Sequence, residues 1–252
     1  MRLHLLVPAL LVGLAACTGD TTPTEPPPEK APPAKVDKLE PAKAKADAKP
    51  EAPQPTPLPA DAHPALTDPT KATEQAPATF TCQFDTTQGS FDIEVTREWA
   101  PQGADRFYNL CKIGYFDGAR FFRNIKGFMV QFGMSAYPDA TKVWQKATIN
   151  DDPVTQTNAP LMVTFAKTGR PNSRSTQIFI NHGNNANLDS MGFAPIGKVV
   201  AGADIVGKLY TGYGEGAPRG KGPRQDVLGD YGEVYLADQF PKLDKINKTT
   251  VK

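Results

Sequence analysis

Residues 121–133 read Phe-Phe-Arg-Asn-Ile-Lys-Gly-Phe-Met-Val-Gln-Phe-Gly, and the other predicted elements of the fold are arranged around this stretch. A glycine in its middle divides it, so the pattern predicts two short strands joined by a tight turn. Because side chains alternate between the faces of a strand, Met129 and Gln131 are expected on one face and their neighbours on the other. The neighbours are typical of a core. Met129 and Gln131, close to Arg123, offer an apolar surface with one amide, which suits an apolar ligand that carries a carbonyl group.

Alternating apolar residues predict further strands on both sides of this stretch. Residues 80–84 and 91–95 flank a turn at Thr86–Gly89 and together predict a hairpin. Similar alternation predicts strands at 161–166, 177–180, 194–200 and 245–251.

Two short helices are predicted between the strands. The first begins at Pro101, which suits a first helical turn, and the second spans 203–210. A further short helix is expected near 232–240, whereas residues 135–159 and the glycine-rich segment 212–222 are predicted to be loops. Many short strands with two helices indicate a mainly β protein built as a closed antiparallel barrel.

The quoted stretch resembles the signature of the cyclophilins, the peptidyl-prolyl cis-trans isomerases, in which Phe-x-Arg precedes Gly-Phe-Met-x-Gln-x-Gly. A second block agrees, since residues 171–173 read Pro-Asn-Ser and 175–181 read Ser-Thr-Gln-Ile-Phe-Ile-Asn. Bacterial cyclophilins typically have Pro-Asn-Ser and Ser-Gln-Phe-Phe-Ile-Asn there. The resemblance covers residues 79–210 well. It implies a closed eight-stranded antiparallel β-barrel capped by two α-helices.

The resemblance also implies the residues of a site. Arg123 and Gln131 are implied to be catalytic. The residues that it implies for peptide binding are Phe128, Met129, Ala166, Lys167, Gln177, Phe179 and Leu188. Rotation about an X-Pro bond needs no nucleophile, and no cofactor or metal is expected. The expected partners are proline-containing polypeptides.

Two positions depart from the family pattern. Asn187 stands where cyclosporin-sensitive members carry Trp, and Phe193 is the nearest residue to a position where the site commonly has His or Tyr. Cyclosporin binding is therefore expected to be weak. A peptide-binding chaperone or scaffold without significant turnover is the alternative function, and the presence of Arg123 favours the enzyme.

A hydrolase is a third reading. It would need His182 together with Ser175 or Ser190 and with Asp189. Neither serine lies in a nucleophile-elbow motif, so this reading is disfavoured.

The first third of the chain predicts export and tethering. Residues 1–16 carry a basic Arg2 and a short apolar run, which is typical of a signal peptide. Leu14-Ala15-Ala16-Cys17 resembles the bacterial lipobox, which implies a lipidated N-terminus at Cys17 and a membrane contact through that lipid. The alternative is an ordinary signal peptide cut after Ala16, which would leave a free thiol. By the same resemblance, Thr18 in place of an aspartate favours the periplasmic side of the outer membrane. Residues 17–78 are rich in Pro, Ala and Lys and are predicted to be a disordered tether. The isomerase domain is predicted over 79–252.

Charge and cysteine content restrict the other partners. The net charge of +1 offers no electrostatic basis for binding nucleic acid, and a monomer is expected. Cys82 and Cys111 fall in the predicted domain of an exported protein, where thiols can pair. A disulfide and two buried free thiols are both open, and the buried thiols are the favoured expectation.

Overall fold

The computed structural model describes residues 54–252 of the chain. The predicted signal peptide, Cys17 and most of the predicted tether lie outside the described residues. Across residues 54–252, no helix combines the length and the apolar character needed to cross a membrane.

The described residues form a mainly β fold built on one antiparallel sheet. Its eight strands are β1 (Thr79–Thr86), β2 (Gly89–Thr96), β3 (Arg123–Ile125), β4 (Met129–Phe132), β5 (Met162–Phe165), β6 (Ile178–Asn181), β7 (Pro195–Ala201) and β8 (Ile246–Val251). Their order across the sheet is β3-β4-β6-β5-β7-β2-β1-β8. Every strand predicted from alternation is present, within one or two residues. The ladder ends at β3 and β8, so closure of the barrel stays a prediction.

Five α-helices occur in the same part of the chain, more than the two expected to cap a barrel. They are α1 (Pro101–Lys112), α2 (Pro138–Trp144), α3 (Ala203–Lys208), α4 (Gln225–Tyr231) and α5 (Glu233–Gln239). Helix α2 lies within residues 135–159, so the prediction of a surface loop there is wrong. The seven residues of α2 are too few to display a clear period, yet Trp144 at its end is fully buried.

The main core lies on one face of strands β4 and β6. Val130 and Phe132 of β4 and Ile178 and Ile180 of β6 are buried in it with α1. On these strands Met129 and Phe179 belong instead to a separate apolar cluster. The predicted alternation is confirmed on both strands.

The structure differs from the predicted tether in the segment that precedes β1. Leu66 is only 5% exposed and packs in the main core with Ala65. The carbonyl oxygen of Ala65 accepts a hydrogen bond of 2.9 Å from the indole nitrogen of Trp144. Farther along, the side chain of Asn109 on α1 donates to the carbonyl oxygen of Glu74 at 2.7 Å. The prolines and short polar residues of this segment suggested disorder, but its few apolar side chains are placed where the domain can bury them.

Cys82 and Cys111 form a disulfide, so the expectation of two free buried thiols is wrong. Cys82 faces inward from β1, and Cys111 lies on the buried face of α1 that covers this strand. Their Cα atoms are 6.5 Å apart, which is within the range that a disulfide can bridge. Sequence alone does not show where along β1 the helix crosses, and that position decides the pairing.

Candidate functional site

A cleft of about 420 Å³ opens where β3, β4 and β6 meet the segment after β5. All nine residues predicted for the site lie around it: Arg123, Phe128, Met129, Gln131, Ala166, Lys167, Gln177, Phe179 and Leu188. The roles given to them in binding and catalysis stay predictions.

The floor of the cleft is apolar. Met129, Phe179 and Leu188 are each no more than 7% exposed and pack together, with Phe128 and Phe193 against them. The rings of Phe179 and Phe193 meet edge to face, with centroids 5.9 Å apart. Phe193 occupies the rim near the position where the family commonly carries His or Tyr, and it offers no hydrogen-bonding group.

Arg123 and Gln131 are brought together by strand register. Arg123 on β3 pairs with Gln131 on β4, which in turn pairs with Phe179 on β6. Paired residues point to the same face, so these three side chains stand in one row across the sheet. The Nη1 atom of Arg123 donates to Oε1 of Gln131 at 2.9 Å, and the guanidinium carbon lies 5.9 Å from the centre of the Phe128 ring. A fixed positive charge therefore sits above the apolar floor.

Gly133 follows β4 and allows two backbone segments to approach each other closely. Its φ is +101°, and a Cβ atom there would collide with the carbonyl oxygen of Thr176. The glycine of the motif is thus required by the packing of β4 on the segment that leads into β6.

A chain of amide side chains continues along the cleft from Arg123. Nε2 of Gln131 donates to Oε1 of Gln177 at 2.6 Å, and Nε2 of Gln177 donates to Oε1 of Gln225 at 3.2 Å. Gln225 is the first residue of α4, a helix that the sequence analysis did not predict. The C-terminal part of the chain therefore contributes to the cleft.

Ala166 and Lys167 form the opposite wall. The Ala166 amide donates to the carbonyl oxygen of Gln177 at 2.8 Å, which joins this wall to the entry of β6. The ammonium group of Lys167 lies 3.5 Å from a carboxylate oxygen of Asp151 and 5.9 Å from the centre of the Phe193 ring. These contacts hold the lysine side chain along the wall.

Glu215 is the main residue of the cleft that sequence reasoning missed. It lies in the glycine-rich segment 212–222, interpreted above as a plain loop, yet its two carboxylate oxygens each lie 2.7 Å from a guanidinium nitrogen of Arg123. Hydrogen bonding to Arg123 is the main cause that lowers the pKa of Glu215, so the pair is ionised at neutral pH. Local sequence carries no signal for a partner that is 92 residues away.

The residues of the hypothetical hydrolase are engaged elsewhere. The Nε2 atom of His182 lies 2.8 Å from Oδ1 of Asn124, and burial lowers the histidine pKa. Asp189 accepts hydrogen bonds from the backbone and side chain of Asn158, and the Ser190 hydroxyl donates to the carbonyl oxygen of Asn187. His182, Asp189 and Ser190 are thus not hydrogen-bonded to one another as a catalytic triad would be, so the hydrolase hypothesis is not supported.

Comparison with known proteins identifies related chains. The profile of the family described as "Cyclophilin type peptidyl-prolyl cis-trans isomerase/CLD" matches residues 81–227. A peptidyl-prolyl cis-trans isomerase of Arabidopsis thaliana is 35% identical over 137 residues, which is 52% of this chain and 84% of the plant protein. A peptidyl-prolyl cis-trans isomerase-like 3 of Mus musculus is 34% identical over 124 residues, or 48% of this chain and 76% of the mouse protein.

A solved structure supports the fold. The crystal structure of a cyclophilin-type peptidyl-prolyl cis-trans isomerase of Cryptosporidium parvum superposes with a TM-score of 0.51 at 18% identity. The match covers 69% of this chain and 98% of that one. At this identity the likeness concerns the fold alone.

Proposed function

This chain belongs to the cyclophilin family of peptidyl-prolyl cis-trans isomerases, and we propose how its cleft carries out the reaction. The proline ring of the substrate packs on the apolar floor of Met129, Phe179 and Leu188. Arg123 acts on the nitrogen of the X-Pro bond, and Gln131 orients the peptide carbonyl. The observation that carries this assignment is the guanidinium of Arg123 held above that floor, 2.9 Å from Gln131.

The chemical task is to lower a rotational barrier. Turning a peptide C–N bond breaks amide resonance and costs about 18–20 kcal/mol. The two isomers of an X-Pro bond differ by only about 0.5–1 kcal/mol, so the obstacle is kinetic. In the twisted state the nitrogen becomes pyramidal and gains a free lone pair, while the carbonyl becomes less polar. An apolar cleft disfavours the polar planar amide, which favours the twisted state by comparison.

Arg123 supplies an interaction that exists only in the twisted state. Its N–H groups can donate to the new lone pair, which is differential binding of the transition state. A hydrogen bond from a charged donor contributes about 1.5–3 kcal/mol, or roughly one to two decades of rate. The remaining acceleration comes from removing water and from holding one side of the peptide still while the other turns.

The test is a protease-coupled isomerisation assay on an X-Pro peptide. We expect the purified chain to be active and Arg123→Ala to lose roughly one to two decades of kcat/KM with little change in stability. Arg170→Ala is the matched control, because Arg170 is exposed and does not line the cleft. Wild-type rates in Arg123→Ala would refute the mechanism, and binding without turnover in the wild type would favour the scaffold reading.

We further propose that the sheet closes into a barrel. Support comes from the antiparallel bridge between Arg120 and Lys245, which lie just before β3 and β8. Beside it the Phe121 amide donates to the carbonyl oxygen of Asp244 at 3.1 Å, and the Ile246 amide donates to that of Ala119 at 2.8 Å. Closure would anchor the start of β3, and with it Arg123. Slow hydrogen exchange of the Phe121 and Ile246 amides is the expected result, and fast exchange of both would argue for an open sheet.

We propose that the protein is a lipoprotein of the bacterial cell envelope and assists folding of envelope proteins there. The proposal rests on the residue pattern, namely a basic Arg2, an apolar run and Leu14-Ala15-Ala16-Cys17. Acyl chains on Cys17 would anchor the domain, because each buried methylene adds about 0.8 kcal/mol to membrane binding. Thr18 in place of an aspartate favours the outer membrane.

Fractionation of cells that express the full chain tests this assignment. The chain is expected in the outer-membrane fraction and in the detergent phase on phase separation, and Cys17→Ala is expected in neither. Cys82→Ala with Cys111→Ala is the matched control, since it removes cysteines without touching the predicted lipid site. A wild-type chain in the soluble fraction would contradict the proposal.

A further inference from the structure

The guanidinium of Arg123 is held by more than the strand that carries it. Its Nε donates to one carboxylate oxygen of Glu215 and its Nη2 to the other, each at 2.7 Å. Such a two-point contact fixes both the position and the plane of the guanidinium. Glu215 comes from the segment between α3 and α4, far from Arg123 in the chain.

The glycine-rich segment is folded so that Glu215 has a fixed place. The Gly216 amide donates to Oε1 of Glu215 at 2.8 Å, and the Gly222 amide donates to the Glu215 carbonyl oxygen at 2.8 Å. Gly220 packs so closely that a Cβ atom there would collide with the same carbonyl oxygen. The glycines therefore close the segment around Glu215, and both its backbone and its side chain are held.

The hydrogen bonds of Arg123 leave donors available for a substrate. An arginine side chain has five N–H groups. Glu215 takes one on Nε and one on Nη2, and Gln131 takes one on Nη1. Nη1 also lies 3.9 Å from the sulfur of Met129, which is a weak acceptor, and the second N–H of Nη2 has no hydrogen-bond partner among residues 54–252. The arrangement immobilises the cation without using all of its donors.

We infer that Glu215 is a positioning residue for the isomerase reaction: it holds the guanidinium of Arg123 in the orientation that meets the twisted X-Pro bond. The inference rests on the proposed role of Arg123. Glu215 does not touch the reacting atoms; it acts through the arginine. An unheld arginine samples many rotamers, and ordering it has to be repeated in each turnover. With Glu215 in place that ordering is complete before the peptide arrives.

An ion pair can also inhibit, because the carboxylate of Glu215 competes with the substrate for the Arg123 guanidinium. If Glu215 mainly withdrew Arg123 from substrates, its removal would raise activity. The contact with Gln131 and the N–H of Nη2 that Glu215 does not occupy favour positioning over competition. The two effects differ in sign, so one experiment separates them.

The experiment compares Glu215→Gln with Glu98→Gln in the full chain, purified in detergent. Glu98 is exposed and its carboxylate forms no ion pair with any residue of the range 54–252, so it controls for loss of one charge. We expect Glu215→Gln to lower kcat roughly 5- to 30-fold while KM changes little, and Glu98→Gln to match the wild type. In an Arg123→Ala background, Glu215→Gln should have no further effect, since the pair acts as a unit.

A second readout does not depend on turnover. The ¹⁵N resonance of Arg123 Nε–H is expected to be sharp and slow to exchange in the wild type and in Glu98→Gln, and broadened in Glu215→Gln. If Glu215→Gln fails to fold, Glu215→Asp replaces it, because its shorter carboxylate keeps the charge but reaches only one nitrogen, and an intermediate loss of kcat is expected.

The outcomes distinguish the two levels of the proposal. An active wild type with unchanged or raised kcat in Glu215→Gln would overturn the positioning role alone. A loss confined to KM would also overturn it. A wild type without isomerase activity would overturn the proposed role of Arg123 together with this inference.

Discussion

Replacing Leu66 by alanine tests whether the chain before β1 is part of the folded domain. Leu66 is 5% exposed and packs in the main core, although it lies in a segment whose composition predicts a free tether. Leu→Ala changes in cores cost about 2–5 kcal/mol, and a site near the domain edge belongs at the low end, about 2–3 kcal/mol. The same change in a free tether would alter the free energy of unfolding by no more than about 0.5 kcal/mol.

The assay is urea unfolding followed by the fluorescence of the two tryptophans, Trp99 and Trp144, with the disulfide kept oxidised. At a denaturant dependence of about 2–3 kcal/mol per molar urea, the midpoint should fall by roughly 1 M. Gln75→Ala is the control, because Gln75 lies in the same segment and is exposed. A Leu66→Ala midpoint equal to that of Gln75→Ala would refute the packing argument and restore the tether up to residue 78.

The Cys82–Cys111 disulfide closes a loop with a sequence separation of 29, so its reduction is expected to lower the free energy of unfolding by about 3–4 kcal/mol. A thiol count on the denatured, non-reduced domain should find both cysteines paired, and two free thiols would contradict this. Cyclosporin should inhibit weakly, because the exposed Asn187 lacks the apolar contact area and the indole N–H donor of a tryptophan. Asn187→Trp should tighten cyclosporin binding. Potent inhibition of the unmodified chain would show this reasoning to be wrong. Because Arg123 lowers the pKa of Glu215 below its usual 4.5, the stabilisation from this pair is complete above that pH and is lost as the pH falls through the lower folded-state pKa. The acid-side decline of kcat is therefore expected below pH 4.5. If kcat declines at a higher pH while the protein stays folded, a group other than this pair causes the decline.

The parts of the fold that depend on short-range pattern could be predicted from the sequence. Strand alternation is local, so Met129 and Gln131 could be assigned to the cleft, and Ile178 to the core, without knowing the neighbouring strands. The motif around Arg123 combined one such strand pair with a glycine whose conformation the turn requires. These features are decided within a few residues of chain.

The parts that depend on long-range contact could not be predicted. Glu215 contacts Arg123 only because the segment after α3 returns to the cleft, and the sequence around position 215 has no pattern that predicts this return. Leu66 is one of few apolar residues in a proline-rich segment, and its burial depends on a main core built from residues far away in the chain. The pairing of Cys82 with Cys111 depends on where α1 crosses β1, and the hydrophobic periodicity of the sequence does not predict that position.

The pairing of β1 with β8 has a consequence for how the chain reaches its native state. Cys82 on β1 aligns with Val251 on β8, and the Lys252 amide donates to the carbonyl oxygen of Thr81 at 2.9 Å. The first strand of the sheet thus pairs with the strand that follows all the others in the chain, and contacts between residues so far apart in sequence slow folding. Until β8 has been synthesised, the outer edge of β1 in the nascent chain has unpaired N–H and C=O groups that can pair with any other strand. A chain cut just before Ile246 would keep every residue of the cleft and still carry that open edge, so its expected failure is aggregation.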